Sequence, residues 1–402
     1  MKSINRLLTA ICALFAFTAA IADTIPSGFS RPLLWSIGAE VSPAFVPRSV
    51  SSDNGYYDPM PLSSSTGDQP WHVRGRFSAS VKAGFSFAPD TRHGILYRDV
   101  YQGIGLGINS FFPDSPFGTP ISAYVYQGAP IARLSERLSL GYEWKFGAAF
   151  GWKHPEDIRE VSTSVTAMLA AGLNLRYLLS DRVALTFGIE AAHFSNGNTH
   201  LPNTGVNSIG ATASISYALY APRKDAPEPG SRLISEADRG RWIYDIVAYG
   251  AWRRRIVDIG NPVASELCPG RFAVAGLQFS PMRTLNRYVA VGPVLDLQWD
   301  ESAGLAPYWV EGSHDENIKF HRPPFGKQIK AGLSAHAELT MPIFSINAGM
   351  GYDFISPSGD SRFYQMLTLK TFVTSHVFLN VGYRLGRFKN PQNLMLGIGV
   401  RL

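Results

Sequence analysis

The chain has 402 residues, of which 45% are hydrophobic, 12% aromatic and only 17% charged, with 38 glycines and a formal net charge of +6. So mild and dispersed a positive balance argues against a nucleic-acid partner and suits an anionic lipid surface. With two cysteines, Cys12 and Cys268, there is no disulfide framework to organise the fold.

Residues 1–22 have the form of a secretory signal. Lys2 and Arg6 make a basic start, residues 7–20 an apolar stretch too short for a permanent span, and Ala20-Ile21-Ala22 a small-residue cleavage site. Its removal lowers the net charge to +4 and leaves Cys268 as the single thiol. Beyond it the chain contains no run of about 18 apolar residues, so no membrane helix is expected.

The period beyond the signal is two. Leu33, Trp35, Ile37, Ala39 and Val41 alternate with Leu34, Ser36, Gly38 and Glu40. Ile104, Leu106 and Ile108 alternate with Gly103, Gly105, Gly107 and Asn109. The cleanest case runs Leu138, Leu140, Tyr142, Trp144, Phe146, Ala148, Phe150, Trp152, against Ser139, Gly141, Glu143, Lys145, Gly147, Ala149 and Gly151. Side chains two apart share a face of a strand. Segments of about ten residues, apolar on one face and small or polar on the other, predict an all-β, transmembrane antiparallel β-barrel. A soluble sandwich would need a partner layer for every one of these apolar rows.

Joins after odd-numbered strands are long (46–71, 153–161, 254–270, 301–326), and joins after even-numbered strands are mostly short (132–136, 179–181, 341–342, 374–375). That asymmetry predicts an outer-membrane barrel of a Gram-negative bacterium with its long loops outside the cell. About eight strands fall in residues 23–220 and about eight more in 239–402, as two tandem barrels or one larger one. Residues 221–238 join them as a linker, proline-rich and charged over 221–230. The stretch from Val183 to Asn196 can be laid on that from Val377 to Asn390, which places Arg387 against His193 and Lys389 against Ser195. If the halves are duplicates, the second is therefore non-catalytic.

The chemistry concentrates in His193-Phe194-Ser195-Asn196-Gly197, followed by Pro202-Asn203-Thr204-Gly205-Val206-Asn207. His193 and Ser195 end the row Val183, Leu185, Phe187, Ile189, Ala191, which in a membrane barrel faces lipid. Serine needs a base to become a nucleophile, and histidine is the usual one. Asn207 begins the apolar row of the next strand, so it stands on the same outer face, one hairpin away. Its side-chain carbonyl is suited to orient His193, as in Cys-His-Asn proteases. The backbone of loop 197–204, Gly197 included, and the amides of Asn196 and Asn203 are candidates for holding an oxyanion. A substrate reaching that face carries its ester at the bilayer boundary and is a lipid.

These residues resemble the PagL-type outer-membrane lipid A 3-O-deacylases, or acyloxyacyl hydrolases. His193, Ser195, Asn196, Pro202, Asn203 and Gly205 match that family's H-x-S-N and P-N-x-G runs at the same spacing. The resemblance implies an eight-stranded barrel for the first half, Ser195 as nucleophile, His193 as base, Asn203 as oxyanion donor, and lipid A of lipopolysaccharide as substrate. The chain departs from the family where an acidic residue would stand at Asn207, and its loop glycine comes one position early, as Gly197. An outer-membrane phospholipase A also resembles this site in its H-x-S-N-G and its Asn. That family binds calcium beside the site, and residues 197–204 offer no acid for the ion. A porin or adhesion barrel without catalysis is the third alternative.

No cofactor or metal is expected. His314, Asp315, Glu316 and His321 match no standard metal spacing and read as a solvated loop. Arg253-Arg254-Arg255 reads as a contact for lipopolysaccharide phosphates or, the favoured alternative, as an interfacial anchor, and Arg387 with Lys389 as a better candidate for those phosphates.

Overall fold

The computed structural model describes residues 33–47, 73–89, 91–113, 116–154, 160–197, 199–201, 203–220, 239–259, 264–308, 319–357, 361–388 and 390–402. The expected signal (1–22) and linker (221–238) lie outside them, as do Pro202, His314, Asp315, Glu316 and Lys389.

Eight antiparallel strands close a first barrel: β1 (Leu33–Phe45), β2 (Gly75–Phe87), β3 (Tyr101–Phe112), β4 (Ile121–Arg133), β5 (Leu138–Phe150), β6 (Val165–Leu178), β7 (Val183–Ser195) and β8 (Val206–Ala218), which pairs back onto β1. The second half closes separately. It uses β9 (Trp242–Arg253), β12 (Phe272–Thr284), β13 (Val289–Asp300), β16 (Ile329–Thr340), β17 (Phe344–Ile355), β18 (Phe363–Phe372), β19 (Val377–Gly386) and β20 (Asn390–Arg401), the last pairing with β9. Of the two sequence alternatives, the structure takes two barrels. Closure leaves no strand edge unpaired, which is what lipid demands of a sheet.

Two long loops carry small hairpins of their own, β10 (Ile256–Ile259) with β11 (Ala264–Leu267) and β14 (Ala306–Tyr308) with β15 (Lys319–His321). One connection departs from the short-turn rule. Residues 88–100, at the short-turn end, include a helical turn, Arg92–Leu96, capped by the Thr91 hydroxyl, which accepts from Gly94 N at 3.0 Å.

Alternation turns the apolar rows outward, as expected: Phe187 is 57% exposed and Ile189 62%. The inner faces carry the charges. In the first lumen Lys145 bridges Glu40 and Glu190, Lys82 joins Glu40 at 3.1 Å and Glu143 at 2.5 Å, and Arg76 reaches Glu190 at 3.4 Å. Each of these buried charges has a partner, which offsets the cost of taking it out of water. Nearer the long-loop end, Phe111, Phe117, Tyr124, Trp152 and Phe194 pack together and fill the lumen. In the second lumen Arg384 binds Asp296 at 2.6 Å and Asp353 at 2.5 Å, and its guanidinium lies over the Tyr364 ring at 3.7 Å.

The barrels lie side by side along a seam. Tyr97 packs edge-on to Tyr288, Tyr142 meets Met341, and Trp144 stands edge-on to Phe344 at 5.1 Å, with Leu369 beside it. This changes the reading of the row from Leu138 to Trp152. Its middle faces the other barrel rather than lipid, and Trp144 is only 8% exposed. Gln127, opposite Trp144 in register, accepts from the indole N–H at 2.5 Å, which satisfies a polar pair at a dry contact.

Candidate active site

β7 and β8 run in full register, with His193 opposite Asn207 and Phe194 opposite Val206. Phe194 is wholly buried in the aromatic plug, so alternation fixes its neighbours, His193 and Ser195, on the outer face. His193 Nδ1 lies 2.8 Å from Asn207 Oδ1. A carbonyl oxygen only accepts, so Nδ1 carries the proton and Nε2 is left with its lone pair.

The loop that follows turns back over Ser195. Asn203 Nδ2 donates to Ser195 Oγ at 2.8 Å and the Gly197 backbone N–H donates to it at 3.1 Å. The backbone N–H of Asn196 in turn donates to Asn203 Oδ1 at 3.1 Å, which fixes the direction of that amide. With both acceptor positions of the hydroxyl occupied, its own proton is the one left to be given away. Among the described residues no hydrogen bond joins His193 to Ser195. They stand two residues apart on one face of β7.

Asn196 holds the loop rather than Ser195. Its side-chain amide donates to His200 O at 2.9 Å and to Ser162 Oγ at 3.3 Å, and Ser162 also meets His200 Nδ1 at 3.1 Å. Two glycines shape the pocket. Gly205 has φ +75°, and a Cβ there would come within 2.8 Å of His193 Cε1, so only glycine leaves room for the imidazole. Gly197 has φ +65°, and its Cβ would press to 2.8 Å on Leu394 of the second barrel.

Six sequence candidates therefore gather here: His193, Ser195, Asn196, Gly197, Asn203 and Asn207. Ser162, His200 and Leu394 were not foreseen. They come from another loop, from the middle of a polar run, and from the other barrel, and no local pattern singles them out. Burial, and then the nearby Arg254, Arg271 and His154 charges, holds His200 below the usual histidine range.

The remaining candidates lie elsewhere. His321 stacks on Tyr308 at 4.6 Å in the β14–β15 hairpin. Arg253 does not anchor at the interface as expected. It turns into the second lumen, where its guanidinium lies 3.2 Å from Asp300 and binds Ser302 Oγ at 3.0 Å. Arg387 is exposed, in the left-handed region at φ 50°. A second Ser-His-Asn string exists, with Ser334 Oγ 2.9 Å from His336 Nε2 and His336 bonded to Asn347. It is buried inside the second barrel, its Asn347 amide bound to Glu338, and there it serves the lumen packing.

Two family models match the chain: lipid A 3-O-deacylase (PagL) over residues 134–216, and acyloxyacyl hydrolase, C-terminal domain, over residues 242–402. The chain belongs to this family of lipid A deacylases and acyloxyacyl hydrolases. The first match contains the whole His193–Asn207 constellation, and the second covers the other barrel. No curated protein matches. Among solved structures, a Rh. blastica porin mutant is similar at 8% identity over 92% of this chain and 100% of its own, with a TM-score of 0.17. A TodX monoaromatic hydrocarbon channel mutant is similar at 9% identity over 93% and 90%, also with a TM-score of 0.17. Likeness that low carries no argument.

Proposed function

We propose that the protein is an outer-membrane serine esterase that removes an ester-linked acyl chain from lipid A, with Ser195 as nucleophile, His193 as general base and Asn207 as its orienting partner. The observation that carries this reading is the convergence on one outward face of two bonds, His193 Nδ1 to Asn207 Oδ1 and Asn203 Nδ2 to Ser195 Oγ, each 2.8 Å long. In this reading the long loops face outward, the site meets the outer leaflet, and the first barrel (23–220) is catalytic while the second (239–402) is not.

Ser195 Oγ attacks the ester carbonyl as His193 Nε2 takes its proton, and the imidazolium is held by the Asn207 carbonyl. The oxygen of the tetrahedral adduct develops beside the Asn203 amide and the Gly197 N–H, donors already fixed by their own bonds. Collapse expels the sugar alkoxide, which His193 reprotonates. Water activated by the same histidine then cleaves the acyl-enzyme and frees the fatty acid. The outward apolar row, Ala191, Ile189 and Phe187, gives the departing chain a lipid-like path.

A channel function is disfavoured by the aromatic plug in the first lumen and the Arg384 cluster in the second. A phospholipase reading keeps one specific support, the amide at Asn207 in place of a carboxylate. Mass spectrometry of lipid A from cells producing the protein is expected to show acyl loss, and Ser195→Ala to abolish it with the barrel still folded. Unchanged acyl removal in that variant would sink the assignment. Offering purified protein phospholipid and lipid A, with and without calcium, separates the two lipid substrates.

A further inference from the structure

The second barrel approaches the catalytic loop at one corner. The outward row of β9 runs Trp242, Tyr244, Ile246, Ala248, Gly250, Trp252, and Arg254 is the next position on it. Trp252 is 58% exposed, at the level where a membrane barrel carries its aromatic girdle. Arg254 follows Trp252 and Arg253 where the chain leaves β9 at its long-loop end, and it is half-buried. Arg253 pairs with Phe272 as the last rung between β9 and β12, and Arg254 and Arg271 are the next residue of each strand beyond that rung.

Among the described residues neither arginine has a carboxylate partner, and the buried Nε of Arg254 makes no hydrogen bond. Both act on His200, whose carbonyl accepts from Asn196 next to Ser195, and Leu394 of β20 touches the catalytic Gly197. A cation pair lacking an anion thus borders a site that handles lipid esters. Guanidinium forks match phosphate oxygens in bidentate fashion.

We propose that Arg254 and Arg271 bind a phosphate group on the headgroup of the same lipid whose ester Ser195 attacks, so that the second barrel holds the substrate for the first. This rests on the deacylase reading.

The test uses full-length protein in detergent micelles, with phosphorylated lipid A and the same lipid A dephosphorylated. Turnover is measured with Ser195 intact and binding in the Ser195→Ala background. The pair Arg254→Gln and Arg271→Gln is expected to weaken binding and kcat/KM for the phosphorylated lipid at least tenfold more than for the dephosphorylated one. Equal loss on both lipids, or no loss, overturns the proposal. Equal weakening on phosphatidylglycerol vesicles also overturns it, since that marks a general anionic anchor. Should the double variant fail to fold, Arg271→Gln, at an exposed position, decides: a selective loss of threefold or more supports the site, and none overturns it. If the protein frees no acyl chain from either lipid yet binds the phosphorylated one selectively, the deacylase reading falls and the phosphate site stands.

Discussion

His193 donates through Nδ1 to the side-chain carbonyl of Asn207, 2.8 Å away across the register of the β7–β8 hairpin. In the proposed mechanism the bond fixes the tautomer of the base with a neutral partner. A carboxylate there would also stabilise the imidazolium that forms during attack. Asn207→Ala is therefore expected to lower kcat by about 10²-fold or more, because the ring loses both orientation and tautomer. Asn207→Asp is expected to match or exceed the wild-type rate. Steady-state deacylation by the purified variants checks both, and an unaffected Asn207→Ala enzyme would remove this residue from the site.

Asn203 is held at both ends of its amide, accepting from Asn196 N and donating to Ser195 Oγ. Its donor is preorganised, so under the proposed mechanism its benefit belongs to the transition state rather than to substrate binding. Asn203→Ala is expected to lower kcat by about 10²–10³-fold with KM little changed. A rise in KM at constant kcat would show instead that the amide serves binding.

Gly205 gives a steric test of the same geometry. A methyl group would sit 2.8 Å from His193 Cε1, in a backbone conformation at φ +75° that disfavours any side chain. Gly205→Ala is expected to push the imidazole aside and lose at least tenfold in kcat, while circular dichroism still reports an intact barrel. Full activity in Gly205→Ala would mean that the imidazole works from another position.

Period-two alternation made the barrel legible, because each strand must show one face to lipid and the other to a filled lumen. The row ending at His193 and Ser195, and Asn207 beginning the next, followed from the same rule. Trp144 and Arg253 show where the rule stops. Both obey alternation, but it separates inside from outside and does not say what lies outside. Trp144 meets Phe344 rather than lipid because a second closed barrel covers it, a contact across 200 residues that leaves no local trace. Arg253 stands next to two more arginines in sequence, and only its parity on β9 turns it inward to Asp300. Ser162 and His200 escaped notice for a related reason, since a loop held by side-chain bonds has no period to read.

Lys145 tests how the first lumen is held together. Its ammonium bridges Glu40 and Glu190, and it is only 5% exposed. Replacing it with methionine keeps much of the volume and leaves two buried carboxylates short of a partner. Breaking a buried ion pair in this way costs about 3–5 kcal/mol. Here Lys82 still reaches Glu40 and Arg76 still reaches Glu190, so the loss should fall near the lower end. Urea titration of the folded protein in lipid vesicles is expected to show Lys145→Met destabilised by about 3 kcal/mol. Adding Glu190→Gln, which removes one stranded charge, should recover part of that loss. If the double variant is less stable than Lys145→Met alone, Glu190 contributes through Arg76 more than through Lys145.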